Sequence, residues 1–251
     1  MDRDFRRGYL EITSPAARFD SPLRLLDATF RLFASRLGFI AGLTLLVYLP
    51  GHLLYQFAAA ALDIPSNGIL SFALMEAADL VLSSLAIPAI VYGLLRDSAT
   101  MRHALSWGRR QWMRTLTRQV LVEVTVLLYG ALLIVPGLIA MVRLALVPVI
   151  VAVEADRQAQ PLPRSRDLAR GRMWRIVAVL FPLGLLDLAA NFLLLGRITG
   201  IEQARVIFAL AETGLAIVSQ LTTVATLLIY LGCIEPPAAP PRKHTPAVRS
   251  R

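Results

Sequence analysis

The residues in this chain best placed to do chemistry are polar and ionisable groups set inside long apolar runs. Glu76, Asp79 and Ser83 fall at i, i+3 and i+7, which puts them on one face of a helix. Gly184, Asp187 and Asn191 make a similar stripe, and Glu212 heads a third with Ser219, Thr223 and Thr226. One cation, Arg143, sits inside a further run. Ionisable groups are costly in hydrocarbon and turn toward a bundle interior or water, so two chemistries stand side by side. In the first, Asp79 and Asp187, both near mid-run, handle protons or cations, while Arg143 binds an anionic headgroup or solute. In the second, Arg143 pairs with Glu76 or Glu212, and the remaining acids accept interhelical hydrogen bonds or stay protonated. His52 stands alone among apolar residues and reads as a packing histidine rather than a ligand. Glu123, one turn inside its run, is expected to reach back to an arginine such as Arg118 or Arg172.

Enzyme signatures are missing from the sequence. It contains no Gly-rich phosphate loop, no HExxH and no GxSxG elbow, and its apolar runs offer no convincing pair of nucleophile and base at shared depth. No catalytic residue and no cofactor is therefore expected. The single cysteine, Cys233, excludes an intrachain disulfide, and no Cys/His cluster suggests a metal.

The elements that must position these residues are helices in a membrane. Hydrophobic residues make up 56% of the 251 and mean hydropathy is +0.61, beyond what a soluble domain of this size carries. Several apolar runs reach the ~20 residues that cross a bilayer. The fold class expected is all-α, a polytopic integral membrane bundle of six transmembrane helices with interfacial amphipathic helices. Spans are expected at about 37–62, 69–95, 119–135, 138–153, 176–195 and 206–234. Residues 21–234 then form the membrane domain, between a flexible segment at 1–20 and a Pro-rich, disordered tail at 235–251. Ser21-Pro22 reads as a helix start, and Leu23, Leu26, Phe30, Phe33 and Leu37 follow on one face, suited to the membrane interface. The N-terminal stretch does not have the form of a signal peptide.

The number of spans depends on Pro136-Gly137. A turn there makes the run from Gln119 to Val153 a hairpin of two spans. Of the 26 basic residues, 23 then fall on one side with both termini; Arg197 and Arg205 fall on the other, and Arg143 within a span. A single kinked span would split the basic segments between the two sides, against the positive-inside bias. The hairpin therefore gives six spans with both termini cytoplasmic. The charge of +9 accordingly marks membrane topology and contacts with anionic lipid headgroups, not nucleic acid. A weak repeat accompanies it: Arg-rich, part-amphipathic segments beginning near Leu23, Met101 and Leu162 each lead into an apolar span.

One stretch carries a family resemblance. PGLIAMVRLALVPVIVAVE (136–154), followed by RSRDLARGRMWRIVAVL (164–180), resembles bacterial six-span proteins. These include YciC-like inner-membrane proteins and the membrane domain fused to some glycerophosphoryl diester phosphodiesterases. The matching positions are Pro136, Gly137, Arg143, Glu154, Arg164, Ser165, Leu168, Gly171, Trp174 and Arg175. The resemblance implies an all-helical protein of the bacterial inner membrane, with these residues setting the hairpin and its interface anchors. In the fused proteins the chemistry sits in the attached domain. The expectation is thus a non-enzymatic scaffold or accessory component, working on membrane lipids or a membrane protein partner. The alternative is a small transporter or channel-like protein using the intramembrane acids.

Overall fold

A computed structural model describes residues 21–64, 68–96, 99–154, 160–198 and 205–234, excluding the side chains of 194–198. The segment expected to be flexible at 1–20 and the tail expected to be disordered from 235 lie outside the described residues, as do 199–204 of the last polar break. The described chain is helical throughout, with no strand: α1 (Pro22–Ser35), α2 (Leu37–Ala61), α3 (Ile69–Leu95), α4 (Met101–Leu132), α5 (Ile134–Leu144), α6 (Val147–Val153), α7 (Pro161–Ala169), α8 (Met173–Ile198) and α9 (Arg205–Ile234). Six segments are long and apolar enough to span: Leu37–Ala61, Ile69–Leu95, Met101–Leu132, Ile134–Val153, Met173–Leu193 and Arg205–Ile234. This is a multi-pass membrane protein.

The start of α1 is as the sequence predicts. Ser21 Oγ accepts from the Arg24 N–H at 3.4 Å, and Pro22 takes the first helical position, where its missing N–H costs nothing. Leu25 and Thr29 bury one face while Leu23 and Phe30 stay exposed on the other. At α4 the basic segment and the span prove to be one helix. Thr100 caps it by accepting from the His103 N–H, and 32 residues then run without a break. Of the three Arg-rich segments, the other two are separate helices, α1 and α7, set off from their spans at Arg36 and at Gly171.

The hairpin is present, but its turn is not at Pro136-Gly137. α4 ends at Leu132, Leu133 alone adopts extended backbone (φ −163°, ψ 139°), and α5 begins at Ile134. Pro136 lies in the first turn of α5, where backbone N–H groups have no intrahelical partner and proline is tolerated, and Gly137 follows it, donating to the Leu133 carbonyl at 3.2 Å. The proline therefore marks a helix start and not the turn. Gly137 has a second role. A Cβ there would come within 2.7 Å of Gly130 Cα, so α4 and α5 cross backbone to backbone at these two glycines. The fourth span also divides at Ala145-Leu146, because Pro148 cannot donate to the Leu144 carbonyl.

α3 and α4 form the most extensive helix pair, and α9 packs against α2, α8 and α1. Burial is uneven along the bundle. Toward the end that carries the arginines, Ile90, Val91 and Leu94 of α3, Val147, Ile150 and Val151 of α6, and Leu227, Leu228 and Leu231 of α9 are fully buried. At the opposite end Leu54, Ile69, Phe72, Leu127, Leu132 and Phe192 are exposed, an apolar surface that lipid tails cover.

Candidate functional site

Two polar constellations emerge. The first lies where α2, α3 and α9 converge. α2 brings Tyr48, His52 and Gln56 to one face at successive turns. His52 is 2% exposed; its Nε2 lies 2.9 Å from Asp79 Oδ1 of α3, and its Nδ1 lies 3.1 Å from Thr213 Oγ1 of α9. The Tyr48 ring stands edge-on to the imidazole at 5.6 Å, and its hydroxyl faces Ser83 and Gln220. Next to Thr213, Glu212 is 3% exposed and neither carboxyl oxygen has a hydrogen-bond partner, although Gln56 and His52 lie near it. Tyr55 Oη closes the neighbouring helix contact by donating to the Ser71 carbonyl at 2.7 Å.

His52 was read as a packing histidine, and it is satisfied at both ring nitrogens, but by Asp79 and Thr213 from two other helices. The signal that could have found it is the Tyr48–His52–Gln56 stripe at i, i+4, i+8, which repeats the polar faces of α3 and α9. Asp79 and Ser83 share the inward face as expected, whereas Glu76 is exposed on the flank of α3 beside Asp79 and Glu123.

The other expected members are not brought together. Asp187 stands on α8 with one carboxyl oxygen buried and without a partner; Asn191 Nδ2 donates to the Asp187 backbone carbonyl at 3.0 Å, not to its carboxylate. Asp187 and Asp79 share no contact among the described residues. Arg143 pairs with neither Glu76 nor Glu212: its side chain is exposed, and its carbonyl accepts from Ser165 Oγ of α7 at 2.7 Å. The placement differs because Arg143 lies on the exposed face of α5, away from the α3–α9 interior, and only its backbone carbonyl meets α7. Glu123 meets neither Arg118 nor Arg172; Arg172 Nη1 instead donates to the Cys233 carbonyl at 3.2 Å.

The second constellation is a knot at the basic end. Glu154, where α6 stops, accepts from Tyr230 Oη of α9 at 2.9 Å and lies 3.5 Å from Arg164 Nε of α7, while its carbonyl accepts from Arg114 Nη1 of α4 at 3.2 Å. One residue thus ties four helices together. The residues of the motif around it divide the work. Ser165 is fully buried and hooks α7 to α5, Leu168 packs on the core, and Gly171 ends α7 with φ +76°, a conformation in which a Cβ is strained. Trp174, 81% exposed, and Arg175 face outward at the start of α8. Beside the knot, a groove of 490 Å³ runs along α4, lined by Arg114, Thr117, Arg118, Val120, Leu121 and Val124.

Comparison with protein-family models, curated proteins and solved structures gives no significant match. The reading of function therefore rests on the chain's own geometry. Trp107 stacks on Tyr92 at 5.4 Å with Arg96 over the same ring at 4.7 Å, so one of the two Trp residues of the second basic segment is used inside the chain. The other, Trp112, donates from Nε1 to the Val81 carbonyl at 3.3 Å.

Proposed function

We propose that this chain is a non-enzymatic scaffold or accessory protein of the bacterial inner membrane, with both termini cytoplasmic, and that it holds anionic lipid at its basic end. The observation that carries this reading is the groove on α4. Arg114 and Arg118 stand at its head, and Val120, Leu121 and Val124 continue from them toward the far end of the span. Charge at the interface followed by an apolar track has the order of a phospholipid: headgroup first, acyl chain below. The outward-facing Trp174 and Arg175 supply a second interfacial anchor for a lipid or partner surface. Kinship with the YciC-like six-span proteins is part of the same proposal. It is supported by the way Glu154, Arg164, Ser165 and Gly171 work as one unit.

The test compares Arg118→Gln with the unaltered chain in nanodiscs of mixed phosphatidylglycerol and phosphatidylcholine, measuring the lipid retained on re-extraction. An arginine near the surface contributes about 1 kcal/mol to anionic lipid, so the preference for phosphatidylglycerol should fall about fivefold. Equal retention would remove the groove as a lipid site. The competing reading, transport through Asp79, Asp187, Glu212 and Arg143, requires water to reach those positions.

A further inference from the structure

Glu212 poses a problem of charge. An ionised carboxylate buried inside a span, with no hydrogen bond within 3.5 Å and only Gln56 and His52 near enough to favour its charge, is untenable, because desolvation outweighs what those two supply. It must carry a proton or hold a cation. The hydrogen bonds around His52 can be counted in the same way. Thr213 Oγ1 lies 2.7 Å from the Ala209 carbonyl, an acceptor only, so its single hydrogen is used there. His52 Nδ1 must then donate to Thr213 Oγ1. A carboxylate cannot donate, so the 2.9 Å contact between Nε2 and Asp79 Oδ1 also needs a hydrogen, from the imidazole or from a protonated Asp79. Either way one proton lies between the two residues and the pair has no net charge.

We propose that His52, Asp79 and Glu212 form an intramembrane proton-binding site, neutral when one proton lies between His52 and Asp79 and a second on Glu212. The groups facing it are Tyr48, Tyr55 and Gln56 from α2, Glu76 and Ser83 from α3, and Thr213 and Gln220 from α9; Glu123 of α4 approaches only Glu76. Among the described residues no arginine or lysine faces the site to hold either carboxylate ionised. His52, Asp79 and Glu212 do not stand close enough together to hold a metal ion among them, which favours the proton over a metal cation. The Asp79 side chain is 39% exposed against 3% for His52, so Asp79 is the more accessible member of the pair, and loss of the shared proton would set a bare carboxylate against the Nε2 lone pair. This inference is independent of the lipid groove: it concerns a different set of helices and survives the loss of lipid preference.

The experiment uses the full chain in nanodiscs with ¹⁵N-labelled histidine, the His52 signals being identified by their loss in His52→Gln. The expected result at neutral pH is a proton on Nδ1 and an Nε2 signal that moves in Asp79→Asn, as a shared proton requires. An Nδ1 without a proton, or an Nε2 signal unmoved by Asp79→Asn, would overturn the proposal. Infrared spectra at neutral pH supply the second arm. Glu212→Gln should lose one protonated-carboxyl stretch and keep the unfolding midpoint of the unaltered chain. An unchanged carboxyl region in a folded Glu212→Gln would overturn the assignment to Glu212. So would a midpoint raised by sodium or calcium in the unaltered chain and not in the variant, which would make the occupant a metal cation. If Glu212→Gln does not fold, the protonation of His52 Nδ1 in the unaltered chain decides alone.

Discussion

Gly130 and Gly137 face each other across the hairpin but answer substitution in opposite ways. A Cβ on Gly137 would lie 2.7 Å from Gly130 Cα and 3.0 Å from Gly130 N, whereas a Cβ on Gly130 meets nothing within 4 Å. Carbon atoms pack best at about 3.5–4.0 Å, so Gly137→Ala must push the helices apart by about 1 Å. What it strikes is backbone, which has no rotamer to escape into. Overpacking of this kind costs about 1–3 kcal/mol. Both variants gain the same helix propensity, up to about 1 kcal/mol, and that gain cancels between them. Gly137→Ala should therefore be less stable than Gly130→Ala by about 1–3 kcal/mol, a factor of roughly 5 to 150 in the unfolding equilibrium. Reversible unfolding of the purified protein in mixed micelles with rising SDS, followed by helical circular dichroism, measures the difference. Equal midpoints for the two variants would refute the crossing, and with it the reason glycine stands at position 137.

Other perturbations test other parts of the bundle. Tyr230→Phe removes the hydroxyl that donates to Glu154 and should cost about 1.5–3 kcal/mol, as a bond to a charged group. A double-mutant cycle with Arg164→Gln should show coupling of about 0.5 kcal/mol or more, because both partners act on one carboxylate. Gly171→Ala forces a side chain into the left-handed region and should cost about 1–2 kcal/mol, with Gly171→Asn milder; thermal melting in detergent ranks the three. In a Cys233→Ser background, single cysteines at positions 187 and 212 should stay unlabelled by a membrane-impermeant thiol reagent from either side. Labelling at both, with a lipid-facing control silent, would move transport ahead of the scaffold reading.

Local features of this fold were legible, and long-range ones were not. Ser21-Pro22 announced the start of α1, because capping is decided by a few adjacent residues. The uneven distribution of arginine announced the hairpin, because membrane topology follows charge along the chain. Pro136 was read as a turn because proline is tolerated both in turns and in the first turn of a helix, and a single extended residue, Leu133, was enough to reverse the chain. Arg143 was expected to find an acid at its own depth. Its helix instead leaves the side chain exposed, and depth says nothing about facing. The partners of His52 were illegible for the converse reason: each lies on another helix, and only the packing of α2 between α3 and α9 brings the three together.

α4 has a consequence of its own. Its 32 residues make a rod of about 48 Å against a hydrocarbon thickness of about 30 Å, so more than a third of its length lies beyond the apolar layer. No proline or break interrupts it between the Thr100 cap and Leu132. The exposed arginines near its start and the turn at Leu133 therefore belong to one continuous element, and its broad packing on α3 joins that element to the helix that holds Asp79.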